Sequence, residues 1–317
     1  MKSERNNLIN NIYPSADHFL SKDFHTFSFS KSHQAALRVR PGSKIHIETW
    51  DCYMGAISRS NPTQKIDNSK INGATGPIFV EGAQPGDMLK VKILDIKVNE
   101  VGLARIFPDE GQLSHLISEP YANFFSIDGY TIHMNDRVQL PLRPMLGVIG
   151  VAPAEETIAT MPAGKHGGNL DNNENAVGAT IYLPVKHEGA LLGIGDMHAS
   201  MGDGEIGGTG IEIGGNVLIE VDVQKGRTSQ FPVTETEAAW ITHGVANEDI
   251  TEAMRLATAE ASELLISEWG FTPEDAFIFL SVRGDLGIAQ NVHPSKGTVI
   301  AKMKVPKLPA CPKPFRV

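Results

Sequence analysis

The sequence has 317 residues, which is enough for one large domain or for two smaller ones. Its 41% hydrophobic and 21% charged residues exclude a globally disordered chain. The net charge of -9 argues against a nucleic-acid groove, because such a groove needs Lys and Arg to neutralise phosphates. We therefore expect a folded protein without a nucleic-acid partner.

The N-terminus and the two cysteines bear on the cellular location. Residues 1–7 are polar and of mixed charge, no apolar run of a signal peptide follows them, and no stretch has the apolar length of a membrane helix. Cys52 and Cys311 are too few for a disulfide framework or a thiolate zinc site, so we expect two reduced thiols. These features predict a cytoplasmic protein that does not contact a membrane.

Short strand-like runs dominate most of the chain. The 31 Gly and 19 Pro punctuate these runs in the manner of strands joined by tight turns. Apolar and polar residues alternate in 24–30 and 88–96, and the best later strands are 179–185 and 216–223. Around Pro41-Gly42, two further alternating runs form a pattern that predicts a hairpin.

One stretch near the C-terminus has a helical pattern. Its apolar residues recur at spacings of four and three, at Ile250, Met254, Ala257, Ala261 and Leu264. Asn247 is a candidate N-cap, and Gly270 is a candidate end. We therefore predict one clear helix near 248–268, and a second short helix around 272–280.

These elements predict an α+β, β-dominated fold, with a β-sandwich-like core and a smaller α+β portion. No internal repeat or flexible linker is visible. We expect a single unit over residues 1–317, in which any subdomains, at about 1–160 and 161–317, pack tightly.

Two segments concentrate the residues that could perform chemistry. The first places His166, Asn169 and Asp171 on a glycine-rich backbone that a ligand can approach closely. The second places Asp196 and His198 two residues apart, so that in an extended strand both point to one face. Imidazole and carboxylate ligands with an open position suit catalytic zinc or a similar divalent ion.

Several acidic residues compete for the role of general base. Glu205 is the first choice, while Asp203 and Glu212 are rivals. Asp51, at the end of a strand-like run, is a candidate further metal ligand from a distant part of the chain. Each of these side chains can equally be a turn residue or a satisfied hydrogen-bonding group, and a single Asp-x-His pattern is weak evidence for a metal.

Other chemistries fit less well. The sequence lacks the G-x-S-x-G motif of serine hydrolases, and neither cysteine lies in an obvious nucleophile setting. The main alternative to an enzyme is a non-catalytic β-rich binding protein whose acidic turns hold structural calcium. A hydrolase of a larger amide is a second alternative.

Four segments resemble the acetamidase/formamidase family: 41–51, 76–87, 166–171 and 195–205. The resemblance runs in order from about residue 25 to 300, and it is weaker around Gly287, where a bulkier polar side chain is expected. It implies hydrolysis of short aliphatic amides, formamide or acetamide, to the carboxylate and ammonia. It also implies a β-rich fold and a homo-oligomer, a dimer or larger.

On these grounds we assign roles as expectations. Glu205 and His166 are the candidate catalytic residues, and Asn169 and Glu212 the candidate substrate-binding residues. The candidate metal ligands are Asp51, Asp171, Asp196 and His198. The expected cofactor is a divalent metal, with zinc favoured and calcium as the alternative, and the expected partner is a small amide substrate.

Overall fold

The structure is a computed structural model that describes residues 12–293 and 296–317. Within these ranges the chain forms 22 strands, two α-helices and two short 3-10 helices. The strands are β1 (His18–Leu20), β2 (His25–Thr26), β3 (Ser28–Phe29), β4 (Leu37–Val39), β5 (Lys44–Thr49), β6 (Ala74–Val80), β7 (Met88–Val98), β8 (Val101–Ile106), β9 (Tyr121–Asp128), β10 (Thr131–His133), β11 (Gln139–Pro141), β12 (Met145–Gly150), β13 (Ile158–Ala159), β14 (Gly167–Asn169), β15 (Thr180–Pro184), β16 (Leu192–His198), β17 (Glu212–Ile213), β18 (Gly215–Gln224), β19 (Val233–Glu235), β20 (Ala239–Asn247), β21 (Asp285–Gln290) and β22 (Thr298–Pro306). The helices are α1 (Ile250–Trp269), α2 (Pro273–Arg283) and the 3-10 turns Asn68–Lys70 and Ser114–Leu116.

Two large sheets contain most of the strands. The nine-stranded sheet has the order β1-β5-β18-β7-β15-β19-β20-β22-β21. The eleven-stranded sheet follows β11-β10-β9-β8-β17-β16-β12-β14, and β6 joins it by pairing with β16, β2 and β4. A small third sheet pairs β13 with β3. The fold is therefore β-dominated, as predicted.

The main core lies between the two large sheets. Ile47 and Val91 of the nine-stranded sheet share one buried cluster with Ile149 and Ile194 of the eleven-stranded sheet, and all four are 0% exposed. Burial of each such side chain stabilises the fold by about 1.5–3 kcal/mol. This packing of sheet on sheet confirms the β-sandwich-like core.

The predicted long helix is present and covers the far end of the nine-stranded sheet. α1 packs against β20 and β22, and its C-cap Gly270 has φ +70°, as expected for a left-handed helix end. The predicted N-cap Asn247 is wrong, because Asn247 is the last residue of β20 and pairs with Thr298. Asp249 caps the helix instead, accepting a hydrogen bond from the Glu252 N–H at 2.9 Å.

The predicted hairpin around Pro41-Gly42 is also wrong. β4 runs parallel to β6 in the eleven-stranded sheet, whereas β5 pairs with β1 and β18 in the nine-stranded sheet. The turn thus carries the chain from one sheet to the other, and the Gly42 N–H donates to the Val221 carbonyl at 2.7 Å. Alternation identifies a strand, but it does not identify the partner of that strand.

The single unit with tightly packed subdomains at about 1–160 and 161–317 stays a prediction. Each large sheet takes strands from before and after residue 160.

Neither α1 nor α2, nor any other helix in the described ranges, has the length and hydropathy of a membrane-spanning helix.

Candidate metal centre and active site

Four adjacent strands of the eleven-stranded sheet, β17, β16, β12 and β14, bring the candidate ligands to one place. β16 carries Asp196 and ends at His198, and β17 begins at Glu212, which is the register partner of His198. β12 lies between β16 and β14 in the same sheet, and Asp171 follows β14 by two residues. The sheet order therefore places carboxylates on both sides of the His198 imidazole.

His198 Nε2 lies at the centre of a group of carboxylates. It is 3.3 Å from Glu212 Oε2, 3.6 Å from Asp196 Oδ1 and 3.8 Å from Asp171 Oδ1. All four residues are at most 3% exposed. Glu205 joins the group, because one of its carboxylate oxygens lies within 4.8 Å of ligand atoms of Asp171 and His198.

These separations fit the coordination shell of a small divalent cation. Bonds of about 2.0–2.1 Å to a tetrahedral ion place ligand atoms about 3.3–3.4 Å apart. The distances from His198 Nε2 to the three carboxylate oxygens equal or slightly exceed this value. An imidazole with carboxylates is a donor set suited to zinc and similar ions, whereas calcium takes oxygen ligands.

Hydrogen bonding supports the same interpretation. Within residues 12–293 and 296–317, Asp171 Oδ1, Asp196 Oδ1, Glu212 Oε2 and both ring nitrogens of His198 are buried without a hydrogen-bond partner. Buried polar atoms without partners are rare, and each is costly unless an ion or a ligand satisfies it. Here the three carboxylate oxygens converge on His198 Nε2.

The remaining polar contacts hold the carboxylates in place. Gln290 Nε2 donates to Asp171 Oδ2 and to Glu205 Oε2, the latter at 3.0 Å, and so joins two carboxylates. Asn72 Nδ2 donates to Asp196 Oδ2 at 3.1 Å. The far oxygen of Glu212, Oε1, accepts from the Gly210 N–H at 3.0 Å. One oxygen of each acid is thus anchored, while the other faces the group.

Burial and mutual repulsion shift the pKa values of these acids. Burial and the neighbouring carboxylates raise the pKa of Asp171 well above its usual value, that of Asp196 to about 6 and that of Glu205 to about 7. Burial raises the pKa of Glu212, but the charge of His198 lowers it more, so the net result is a lowered pKa. Similarly, Glu212 and Asp196 raise the pKa of His198 despite its burial.

The backbone at the acids is strained. Asp171, Asp196 and Glu205 have φ values of +38°, +51° and +45°, in the left-handed region that non-glycine residues rarely adopt. Each such conformation costs on the order of 1–3 kcal/mol, and it persists only where the surroundings impose it. Three strained acids in one cluster indicate a functional arrangement.

Two glycines allow the ligands to approach one another. A Cβ on Gly147 would lie 2.5 Å from Asp171 Oδ1 and 2.9 Å from Asp196 Oδ2. A Cβ on Gly210 would lie 2.4 Å from His198 Nδ1. Any larger residue at either position would displace a candidate ligand.

Comparisons with known proteins identify similar sequences and structures. Residues 28–160 and 154–306 match the Acetamidase/Formamidase family. An acetamidase of Mycolicibacterium smegmatis is 30% identical over 78% of this chain and 82% of its own length, and a formamidase of Methylophilus methylotrophus is 26% identical over 76% and 79%. The crystal structure of a recombinant predicted acetamidase/formamidase from Thermoanaerobacter tengcongensis superposes with a TM-score of 0.88, at 39% identity over 91% of this chain and 95% of that one.

The chain belongs to the acetamidase/formamidase family. It is therefore an amidase, an enzyme that hydrolyses amide C–N bonds.

Five of the amidase residues singled out from the sequence converge in the structure. They are Asp171, Asp196, His198, Glu205 and Glu212. Asp203 does not join them, because its carboxylate pairs with Lys302 and its side chain is 53% exposed.

Three other predicted residues are not among the convergent ligand atoms: Asp51, His166 and Asn169. Asp51 Oδ1 accepts from the Tyr53 and Gly55 N–H groups at 2.8 and 3.1 Å, which is the geometry of a turn cap. Asp51 is not part of either group of convergent ligand atoms in the described chain, and its role as a metal ligand stays a prediction. The His166 ring packs against Phe29, with centroids 5.2 Å apart, and its burial lowers its pKa to about 4. The catalytic role of His166 and the substrate-binding role of Asn169 stay predictions.

The sequence patterns did not point to Gln290, Asn72 or Cys52. Gln290 lies 119 and 85 residues from the two acids that it joins, and Asn72 lies 124 residues from Asp196. No local spacing connects such residues, and an amide side chain carries no distinctive motif. Cys52 is one of two cysteines and follows no metal-site spacing, although its thiol lies within 4.8 Å of carboxylate oxygens of Asp196 and Glu212.

Proposed function

We propose that the amidase hydrolyses short aliphatic amides, formamide and acetamide, to the carboxylate and ammonia with the help of a bound divalent metal ion. The observation that carries the metal dependence is the convergence of unpartnered, buried ligand atoms around His198 Nε2. The substrate class follows from the acetamidases and formamidases that the chain resembles.

Four side chains would hold the ion: Asp171, Asp196, His198 and Glu212. Glu212 is proposed as a metal ligand and not as a substrate-binding residue. Its Oε2 lies 3.3 Å from His198 Nε2, while its Oε1 accepts hydrogen bonds from Gly210 and Thr209. When bound, a divalent ion at this position lowers the pKa of water toward neutrality and polarises the amide carbonyl.

Glu205 is the proposed general base. Its pKa of about 7 allows the carboxylate to take a proton from the attacking water and then, as the acid, to protonate the leaving ammonia. Gln290 holds the Glu205 carboxylate through a hydrogen bond of 3.0 Å, and so fixes the oxygen that moves the proton. Gln290 is therefore a positioning residue.

The donor set favours one of the two expected metals. Zinc accepts imidazole and carboxylate ligands together, so His198 at the centre favours zinc over calcium. Membership of an amidase family also favours catalysis over the alternative of a non-catalytic, calcium-stabilised protein. The cytoplasmic location and the homo-oligomer stay predictions.

The proposal is tested by ammonia release from formamide and acetamide together with metal analysis. We expect one or more zinc-like ions per chain, and we expect His198→Ala to lose both the ion and the activity. His115→Ala is the control, because His115 is an exposed histidine on a short 3-10 helix. Calcium as the sole bound metal, with no ammonia from either amide, would overturn the proposal.

A further inference from the structure

The connection between strands β8 and β9 contacts the loop that carries Glu205. Gln112 lies in this connection and is partly buried. Its backbone N–H donates to the Ile206 carbonyl at 2.7 Å, and its side-chain Nε2 donates to the Asn291 carbonyl at 2.7 Å. Ile206 directly follows Glu205 in the chain, and Asn291 directly follows Gln290. One residue thus binds the neighbours of both the proposed base and the amide that holds this base.

The two segments that Gln112 binds are also joined to each other. The Asn291 N–H donates to the Gly204 carbonyl at 2.8 Å, and Gln290 Nε2 donates to Glu205 Oε2 at 3.0 Å. Asn291 therefore binds the Glu205 loop through its N–H and Gln112 through its carbonyl. The three segments form one hydrogen-bonded unit next to the Glu205 carboxylate.

Glycines allow these three segments to pack closely. Gly111 is buried, and a Cβ on it would lie 2.7 Å from the Ile206 carbonyl oxygen and 3.1 Å from Gly207 Cα. A Cβ on Gly208 would lie 3.0 Å from Val292 Cγ1. Such distances leave no room for a larger residue without a shift of the backbone or of a neighbouring side chain. The loop that carries the base therefore packs directly against both the β8–β9 connection and the chain that follows β21.

We propose that Gln112 is a positioning residue for amide hydrolysis, which keeps the Glu205 loop and Gln290 in register so that the Glu205 carboxylate stays aimed at the attacking water. The inference rests on the proposed role of Glu205 as the general base. Glu205 has a φ of +45°, a strained conformation that persists only where the surroundings impose it. A general base must lie within hydrogen-bond reach of the proton that it takes, and a displacement of about 1 Å can cost a factor of about 10² in rate.

The test compares variants of the full chain that keep or remove the side-chain donor of Gln112. Gln112→Met keeps the length of the side chain and the backbone bond to Ile206, but it loses the bond to Asn291. We expect kcat for formamide to fall roughly tenfold, with KM and bound metal unchanged. Gln112→Lys, which regains an N–H donor, should recover part of the loss. Gln139→Met, at an exposed residue of β11, is the matched control.

A second variant acts on the same contact through the backbone. Gly111→Ala pushes the connection away from Ile206 and should also lower kcat while the metal stays bound. A purely structural role would lower Tm and leave kcat of the folded protein unaltered, and that result would overturn the proposal. If Gln112→Met kept full kcat while Glu205→Gln lost it, the positioning role would fall and the amidase proposal would stand. Full kcat in Glu205→Gln would overturn the role of the base and the positioning role together.

Discussion

Two glutamates face the same imidazole but have different surroundings. Glu212 accepts hydrogen bonds from Thr209 and Gly210, and the charge of His198 outweighs its burial and lowers its pKa. Glu205 receives one amide hydrogen bond from Gln290, and burial raises its pKa to about 7. A metal ligand must stay ionised, which the lowered pKa of Glu212 favours. A general base must exchange a proton near neutral pH, which the pKa of Glu205 allows. The environment thus separates two acids that the sequence alone left as rivals.

Glu205→Gln should remove the base and leave the metal ligands in place. We expect kcat for formamide to fall by a factor on the order of 10²–10⁴, which is the usual contribution of a general base. The bound metal should stay unchanged within error. Glu188→Gln, at an exposed residue, serves as the control. Full activity in Glu205→Gln would remove Glu205 from the mechanism.

A buried histidine makes stability depend on pH. His243 is 0% exposed and contacts the Pro232 carbonyl and the Asn172 side chain, and burial lowers its pKa from 6.5 to about 4. At pH values between these two pKa values, the unfolded chain therefore binds more protons than the folded protein. The free energy of unfolding thus falls as the pH drops below about 6.5.

His243→Gln should weaken this pH dependence. From this group alone, the free energy of unfolding should be about 2 kcal/mol lower at pH 5 than at pH 7. Urea unfolding at both pH values measures the free energy of unfolding. The difference between pH 5 and pH 7 should be smaller in His243→Gln by about the amount that His243 contributes. An unchanged difference would show that His243 is not the group responsible.

At the scale of the elements, strands β21 and β22 hold the loop that carries Glu205. The Gly204 N–H donates to the Ala289 carbonyl at 2.9 Å, and the Asn291 N–H donates back to the Gly204 carbonyl at 2.8 Å. Lys302 Nζ pairs with Asp203 of this loop and donates to Asn173 at 3.2 Å. One ammonium therefore joins the loop of Glu205 to the loop that follows Asp171.

Lys302→Met should separate activity from stability. Methionine fills the buried volume of the lysine stem, and the half-exposed Asp203 can be solvated by water, so we expect the free energy of unfolding to change by no more than about 1 kcal/mol. Without the ion pair the Glu205 loop should lose its position, and kcat should fall roughly tenfold. Lys302→Arg, which keeps the charge, should recover part of the loss. Equal kcat in Lys302→Met and the unmodified protein would argue against this anchoring role.

Gly147→Ala should disrupt the centre from the β12 strand. The new Cβ would lie 2.5 Å from Asp171 Oδ1, well inside van der Waals contact, and so would push the carboxylate away. We expect metal content and activity to fall together. Gly287→Ala is the matched control, because the nearest atom to its Cβ is Lys302 Cε at 4.0 Å. Metal content that matches the control would contradict the assigned position of Asp171.

The elements that could be predicted from the sequence are those determined by local pattern. The helix α1 was predictable because its apolar face repeats every three to four residues and Gly270 ends it. The partners of β4 and β5 were not, because strand pairing joins residues far apart in the chain. Gln290 could not be predicted for the same reason, because it lies far along the chain from the acids that it joins. Asp196 and His198 could be predicted because they lie two residues apart in one strand.

At the scale of the whole molecule, the site depends on both halves of the chain. Cys52 and Asn72 come from the first 80 residues, the clustered acids from the middle, and Gln290 from the edge strand of the nine-stranded sheet. The family motifs located the middle segments, but the complete cluster exists only when the two sheets pack together. We therefore expect metal binding to be lost on unfolding and to stabilise the fold.

Removal and return of the metal is the most direct test of the central claim. The protein is treated with a chelator, dialysed, and assayed for ammonia release from formamide as zinc is added back and counted. The metal-dependent account predicts that activity disappears with the ion and returns in proportion to the zinc bound. Full activity in protein that contains no metal would contradict it.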